Sequence, residues 1–507
     1  MKLRSWAVAA ALLTFALVAA ACAPLVDTSQ PAAGSTQAPA VEEATVDFTP
    51  TDAEEEGYWY SRYNLGNLVF RSGLGDAFTL DDATIQQMIQ LADANPDDGN
   101  TAAPRLNATL LQSIYASGDP HLMTQLKPPD FATQRWDPST FDTTVTARAM
   151  GWTMIKESEW SKQFHVDDHF GTSDADFGAY WRFAGLTLNA EAQMQAKFAM
   201  ENLKNDQGLY ANSDGELNWG GQWVLLEAFS DLGGLMAADH VPNSATNRYL
   251  NPDVAAQVIG AADDLFQALS DRTPEGIEEL SLATQALTWY AATTGDADAK
   301  AQAMDLVSQF GDALAAAEPS NASETALTIR GLMEAHRVSG DAQYLDAAAQ
   351  AFDALVADYD AETGIFSSQN VYTIDNVAVI MGALNSLKFN AGDAVDQDQV
   401  EELFTRFYEN AVNRSGLQQA VPPLKVAKDP FEQEEPTLYY GYPTIPMPPM
   451  AGGEFGIAPV FATEVTWDGG SWSVTNGNFD SAGAMHASNE FIWFHNDEVN
   501  GFPVVGE

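Results

Sequence analysis

The sequence predicts a mainly helical protein, built of helical-hairpin repeats and finished by a small β-rich cap. Three observations carry that expectation. From about residue 104 to 415, apolar side chains recur at three- and four-residue steps, the helical period. At four places in that span a leucine stands eight residues before a Gly-Asp pair. Beyond it, a proline-rich stretch gives way to alternating residues around Asp468-Gly469-Gly470-Ser471, the mark of a β-hairpin.

Taken in order, residues 1–21 read as an export signal, with Lys2 and Arg4 ahead of the apolar run from Trp6 to Val18. Small residues Ala19, Ala20 and Ala21 precede Cys22, the single cysteine of the 507-residue chain, in the manner of a bacterial lipoprotein signal. Ala19 departs from the commoner leucine there, so a plain secretory signal cleaved nearby is the alternative. A lipidated Cys22 anchors the chain by acyl burial. Residues 22–50 then carry too few large apolar side chains for a core and read as a disordered tether. Residues 57–78, with Tyr58, Trp59, Tyr60, Tyr63 and Phe70 among glycines, read as a packed irregular segment.

The helical stripes run through 252–270, 278–294, 322–338, 342–359 and 397–412. The leucines are Leu110, Leu287, Leu332 and Leu384, and the pairs they precede begin at Gly118, Gly295, Gly340 and Gly392. Each glycine suits a left-handed helix C-terminus, and each following aspartate can cap the next helix. A degenerate copy is expected to end at Gly233-Gly234. An open α-solenoid is the architectural alternative.

One hairpin carries a family resemblance. Ser339-Gly340-Asp341-Ala342-Gln343-Tyr344-Leu345-Asp346-Ala347-Ala348 leads to Tyr359-Asp360-Ala361-Glu362-Thr363-Gly364-Ile365-Phe366, and then to Tyr372-Thr373-Ile374-Asp375-Asn376. This resembles a hairpin of the six-hairpin α/α-toroid superfamily of glycosidases, polysaccharide lyases and sugar epimerases. The resemblance implies an (α/α) toroid over 51–420 and a site at its loop rim, and leaves the reaction open. Residues 421–450 hold eight of the 24 prolines and end the repeat. The whole of 421–507 is expected as a proline-rich segment and β-rich cap on the helical domain.

Three clusters are candidates for chemistry. In Asn212–Trp223, Asp214 and Glu216 stand beside Trp219 and Trp223; paired carboxylates supply acid–base chemistry and indole faces stack on sugar rings. The same residues also suit a solvated turn before a helix with core tryptophans. Around Tyr372, Asp375 at a helix start is a further acid–base candidate with Tyr372 as a platform, unless Asp375 or Thr373 simply caps the helix. His165 and His169 lie one helical turn apart with Asp168, a spacing that lets two imidazoles share a divalent metal. Met485, His486, Glu490 and His495 make a weaker constellation.

With one cysteine, a disulfide framework or a Cys-rich metal site is excluded. The 71 acidic against 23 basic residues, a net charge of −48, argue against nucleic acid as a partner. No P-loop, GxGxxG unit or GxSxG elbow occurs. The expected function is a lipid-anchored extracytoplasmic protein that binds or processes carbohydrate or another small polar ligand, with no cofactor required. The alternative is a metal-binding or scaffolding envelope lipoprotein without catalysis.

Overall fold

The computed structural model describes residues 48–92, 109–123, 135–165, 175–238, 247–419 and 457–492. Two helices come first, α1 (Pro50–Gly66) and α2 (Asp82–Ala92). Then follow α3 (Ala147–His165) and α4 (Ala175–Asn202), α5 (Trp219–Ala237) and α6 (Pro252–Leu269), and α7 (Gly276–Thr293) and α8 (Ala297–Ala315). The last are α9 (Ala322–Ser339) and α10 (Ala342–Asp358), α11 (Ile374–Asn390) and α12 (Gln397–Phe407), and α13 (Ser481–Glu490).

These helices bury themselves in two ways. In α6 only Ala255, Val258, Ala261, Ala262, Leu265, Phe266 and Leu269 are buried, one stripe at helical spacing. In α5 every residue from Gly221 to Gly233 is buried, polar ones included. A helix hidden on all sides needs neighbours on all sides, and the packing supplies them. Helix α3 packs on α5, α5 on α7, α7 on α9, α9 on α11, α11 on α13, and α13 returns to α3. Behind them lie α4, α6, α8, α10 and α12 in turn, while α13 is backed by α1 from the other end of the chain. There Ser61 Oγ donates to the Ser488 carbonyl at 2.7 Å.

Local chemistry sets the boundaries. Gly340 ends α9 at φ 69°, Asp341 caps α10, and Asp296 caps α8. Each such cap is worth about 1 kcal/mol. The other expected punctuation is kept only in part: Gly392 is left-handed, at φ 51°, just past the end of α11. Around Leu110 and Gly118 the chain forms strands (Thr109–Leu111, Tyr115–Gly118), and Asp396 rather than Asp393 caps α12. Gly233 lies inside α5, where a Cβ would stand 2.7 Å from the Ile259 side chain; it permits a close helix contact and ends nothing. Residues 57–72, expected to be irregular, are helical throughout.

Two three-stranded sheets precede the buried helices. Tyr115–Gly118 pairs with both Asp142–Val145 and Phe479–Asp480, which lead into α3 and α13. Glu464–Trp467 pairs with Trp472–Asn476, the expected hairpin, and with Val371–Thr373, which leads into α11. The β-rich cap is therefore woven into the body, and 481–490 is a helix of the central cycle. Residues 1–47 and 421–456 lie outside the described residues.

Inside the cycle the facing side chains are ionic. Lys162 (α3) holds Glu159 at 2.8 Å and Asp231 (α5), 5.0 Å from the Trp289 ring centroid (α7). Arg330 (α9) pairs with Glu334 at 2.5 Å and with Glu490 (α13) at 3.2 Å. On α11 a Cβ at Gly382 would lie 1.9 Å from Glu490 Oε2, so glycine leaves that carboxylate its room. Burial lowers the Lys156 ammonium to about 7 and raises Glu227 to about 8, as desolvation of a charge does.

Candidate functional site

The starts of α3, α5, α7 and α11 meet at one rim, and Arg148 joins them. It stands second in α3, just after the strand Asp142–Val145. Its Nη1 donates to Glu278 Oε1 at 2.5 Å in the first turn of α7. Its Nη2 donates to both carboxylate oxygens of Asp375, at 3.2 and 3.1 Å, in the first turn of α11. A guanidinium among helix N-termini sits against their positive ends, and the two carboxylates offset that.

Asp375 is free for this because Thr373 caps α11, accepting from the Asn376 amide. Its other partner is His486 Nδ1 at 2.8 Å, and the imidazole stacks on Trp152 with centroids 4.2 Å apart. Burial pushes the Asp375 carboxyl upward, but Arg148 and His486 outweigh it and hold the group well below the usual carboxylate range. Asp480, the cap of α13, is raised by burial and by the charge of Asp375, against the opposing hydrogen bond from the Gly483 amide.

Beside Arg148 opens a cleft of about 180 Å³ lined by Arg148, Asn218, Trp219, Gly220, Glu275, Glu278 and Glu279. Asn218 caps α5 by accepting from the Gly221 amide. A Cβ at Gly221 would lie 3.0 Å from the Arg148 amide, so glycine lets α5 start this close to α3. Trp219 is partly buried, with the Arg272 guanidinium 3.7 Å from its ring centroid. Arg272 is held in turn by both oxygens of Glu279, one of which also accepts from Trp223 Nε1 at 3.2 Å. Glu278 has half its side chain exposed, and Glu275 is exposed and makes no capping bond.

The sequence candidates separate accordingly. Asp375 and Trp219 belong to this rim. Trp223 and Tyr372 cannot be platforms here: both are fully buried, Trp223 against Phe310 and Tyr372 among Phe407 and Trp472. Asp214 and Glu216 form an exposed turn in which Asp214 accepts from the Glu216 amide, and neither lines the cleft. The turn docks next to α3, with Asn212 Oδ1 accepting from the Ala147 amide at 3.1 Å. Asp168 and His169 lie outside the described residues, as does the His165 side chain. Among the described residues no group of three or more His, Cys, Asp or Glu is placed to hold a metal. Arg148, Glu278 and Glu275 were missed. Their partners lie up to 227 residues away, and no local motif announces them.

No family model matches the chain, and no curated protein matches it. Among 11 matching chains of solved structures is cellobiose 2-epimerase from Bacillus thermoamylovorans B4167, with 8% identity and a TM-score of 0.42. That match covers 74% of this chain and 91% of the epimerase.

Proposed function

We propose that this chain is an extracytoplasmic lipoprotein, anchored through Cys22, whose helices form an α/α toroid that binds and processes carbohydrate at the rim cleft. The observation that carries the reading is the Arg148–Asp375–Glu278 cluster opening beside the Trp219 indole. Sugar recognition needs charged hydrogen-bonding groups around a polar ring and an aromatic surface for its C–H face, and both line one small cavity. Its volume of about 180 Å³ suits a single sugar ring better than a long glycan lying along it.

The roles follow from the geometry. Asp375, clamped as a carboxylate by Arg148 and His486, orients those two groups and does not deliver a proton. Proton transfer falls to Glu278, which is in the cleft and half exposed, with Glu275 as the second carboxylate. Calorimetric titration of the full chain with neutral mono- and disaccharides tests the reading. Trp219→Ala is expected to weaken binding at least tenfold, and Glu278→Gln to abolish turnover while leaving binding within a few-fold. Saturable sugar binding that is unchanged in Trp219→Ala would move the site elsewhere; no binding of any sugar would end the carbohydrate reading.

A further inference from the structure

Where α3 packs on the outer helix α4, two carboxyl groups gather around one residue of the strand Thr109–Leu111. Glu191 and Gln195 stand one turn apart on α4, and Leu111 engages both. The Leu111 amide donates to Glu191 Oε1 at 2.8 Å, and its carbonyl accepts from Gln195 Nε2 at 3.3 Å. The same Nε2 donates to Glu157 Oε1 on α3 at 2.9 Å. Glu157, Glu191 and Gln195 are all fully buried. Their hydrogen bonds do not balance. Glu157 Oε2, Glu191 Oε2 and Gln195 Oε1 are sealed in without a partner among the described residues, and all three are acceptors.

The charged groups of the surrounding elements are engaged elsewhere. On α3, Lys156 lies 5.6 Å from the Trp160 ring and answers to Glu159 and Glu490. On α4, Arg182 donates to the Ala92 carbonyl of α2, and Lys197 reaches the exposed Glu201 at 4.0 Å. On α5, Asp231 pairs with Lys162, and Glu227 feels Arg330. Asp76, before the paired strand Ala77–Thr79, accepts from the Tyr115 hydroxyl. A trapped water brings hydrogens but no charge, and two bare carboxylates sealed from solvent are among the costliest arrangements a fold can hold. A proton between them removes the repulsion and supplies a missing donor. Burial raises Glu157, with the charge of Glu191 adding to it against the Gln195 bond, and burial raises Glu191 against the Leu111 amide. We propose that Glu157 and Glu191 share one proton, and that this proton fastens the strand Thr109–Leu111 and α4 to α3 as a latch that opens in alkali. Opening breaks one carboxyl O–H bond, passes the proton to water and leaves two carboxylates that repel. The chain runs from Leu111 into Tyr115–Gly118, which pairs with the strands leading into α3 and α13, so the latch bears on the pairing that sets both helix starts. It stands apart from the carbohydrate reading.

A carboxyl raised on folding stabilises the closed form at low pH and loses that effect as pH climbs through its folded value. Hydrogen exchange of the full chain, read by mass spectrometry and corrected for the intrinsic rate, tests the latch. Between about pH 6 and about pH 9, opening at Leu111 is expected to increase at least thirtyfold, and at the upper end to exceed opening of α7 at least tenfold. In Glu157→Gln, and separately in Glu191→Gln, the new amide donates where the proton stood, and the increase is expected to shrink at least tenfold. Two variants of unchanged size keep the test open should one fail to fold. An increase that both retain assigns it to groups acting independently and overturns the sharing. No increase in the wild type, or Leu111 opening only together with α7, overturns the latch. Stabilisation by calcium or magnesium chloride that both variants lose would replace the proton with a cation and overturn it too.

Discussion

Two ion clusters in this molecule are made of the same residue types and differ in what surrounds them. At the rim, Arg148, Asp375 and Glu278 have side chains 16%, 29% and 51% exposed. Inside the helical cycle, Lys162, Glu159, Asp231, Arg330, Glu334 and Glu490 are all at 6% or less. Inside, a carboxylate that loses its partner has no water to turn to, so the cluster fixes how the helices face one another. At the rim water can replace a partner, so the same chemistry is available to a ligand. The difference teaches that burial, more than residue identity, decides whether an ion cluster is closed to a ligand or open to one.

The sharpest way to break this comparison is to remove the inner cation. Lys162→Met leaves Asp231 and Glu159 sealed without it, and unfolding free energy from urea titration is expected to fall by ~3–5 kcal/mol. A loss below ~1 kcal/mol would mean that water reaches the interior and that the two clusters are equivalent.

The second effect is a pH dependence. Glu227 is raised to about 8, chiefly by burial, with Arg330 opposing and Glu334, Glu490 and Asp231 adding to it. A carboxyl raised on folding contributes stability that is complete below its unfolded value, near 4.3, and is lost as pH climbs through the folded one. Relative to Glu227→Gln, the wild type should therefore lose up to ~3 kcal/mol between pH 5 and 8. Glu157 and Glu191, buried between α3 and α4, shift in the same sense, so the difference between the two proteins is the quantity to measure. A difference that stays flat over this range would place Glu227 in contact with solvent.

At the rim the sign reverses. Asp375 is lowered, so its contribution is present above about pH 4 and is lost only as pH falls further, through the folded value. Asp375→Asn is expected to cost ~1–2 kcal/mol, less than the inner pair, because Arg148 keeps Glu278 and water can reach the rest. Sugar binding should drop at least tenfold in the same variant. A stability loss equal to that of Lys162→Met, with binding intact, would make Asp375 architectural.

What was legible in the sequence was local. Gly340-Asp341 and Asp296 could be read because capping is chemistry between near neighbours, and the stripe of α6 because an outer helix has one buried face. Helix α13 was hidden for the opposite reason. Ser481–Glu490 is buried on all sides by small and polar residues, so it shows no stripe, and its surroundings exist only once α1, α3 and α11 assemble. Trp219 and Trp223 look alike in the sequence; one turn of α5 separates an indole at the cleft from one in the core. The place of Asp375 at a helix start could be read from Tyr372-Thr373-Ile374-Asp375-Asn376, whereas Arg148 and Glu278 lie 130 residues apart and meet only through the fold.

The smallest effect tests the pair the sequence favoured most. Asp214 and Glu216 are the same two carboxylates, near the same tryptophan, that a sugar-cleaving site would use. Yet Asp214 spends its side chain on the Glu216 amide at 3.0 Å, and Gly215 takes φ 91° to close the turn. The turn is fixed to the start of α3 by Asn212 and to Val145 in the strand before it by Ser213, not by either carboxylate. Replacing Asp214 and Glu216 together by Asn and Gln should thus cost less than ~0.5 kcal/mol, as at other exposed sites. It should also leave sugar affinity and turnover within twofold. A tenfold loss of turnover with stability unchanged would show that the turn closes over the cleft when sugar binds, and would extend the functional rim to residues that the free protein keeps in water.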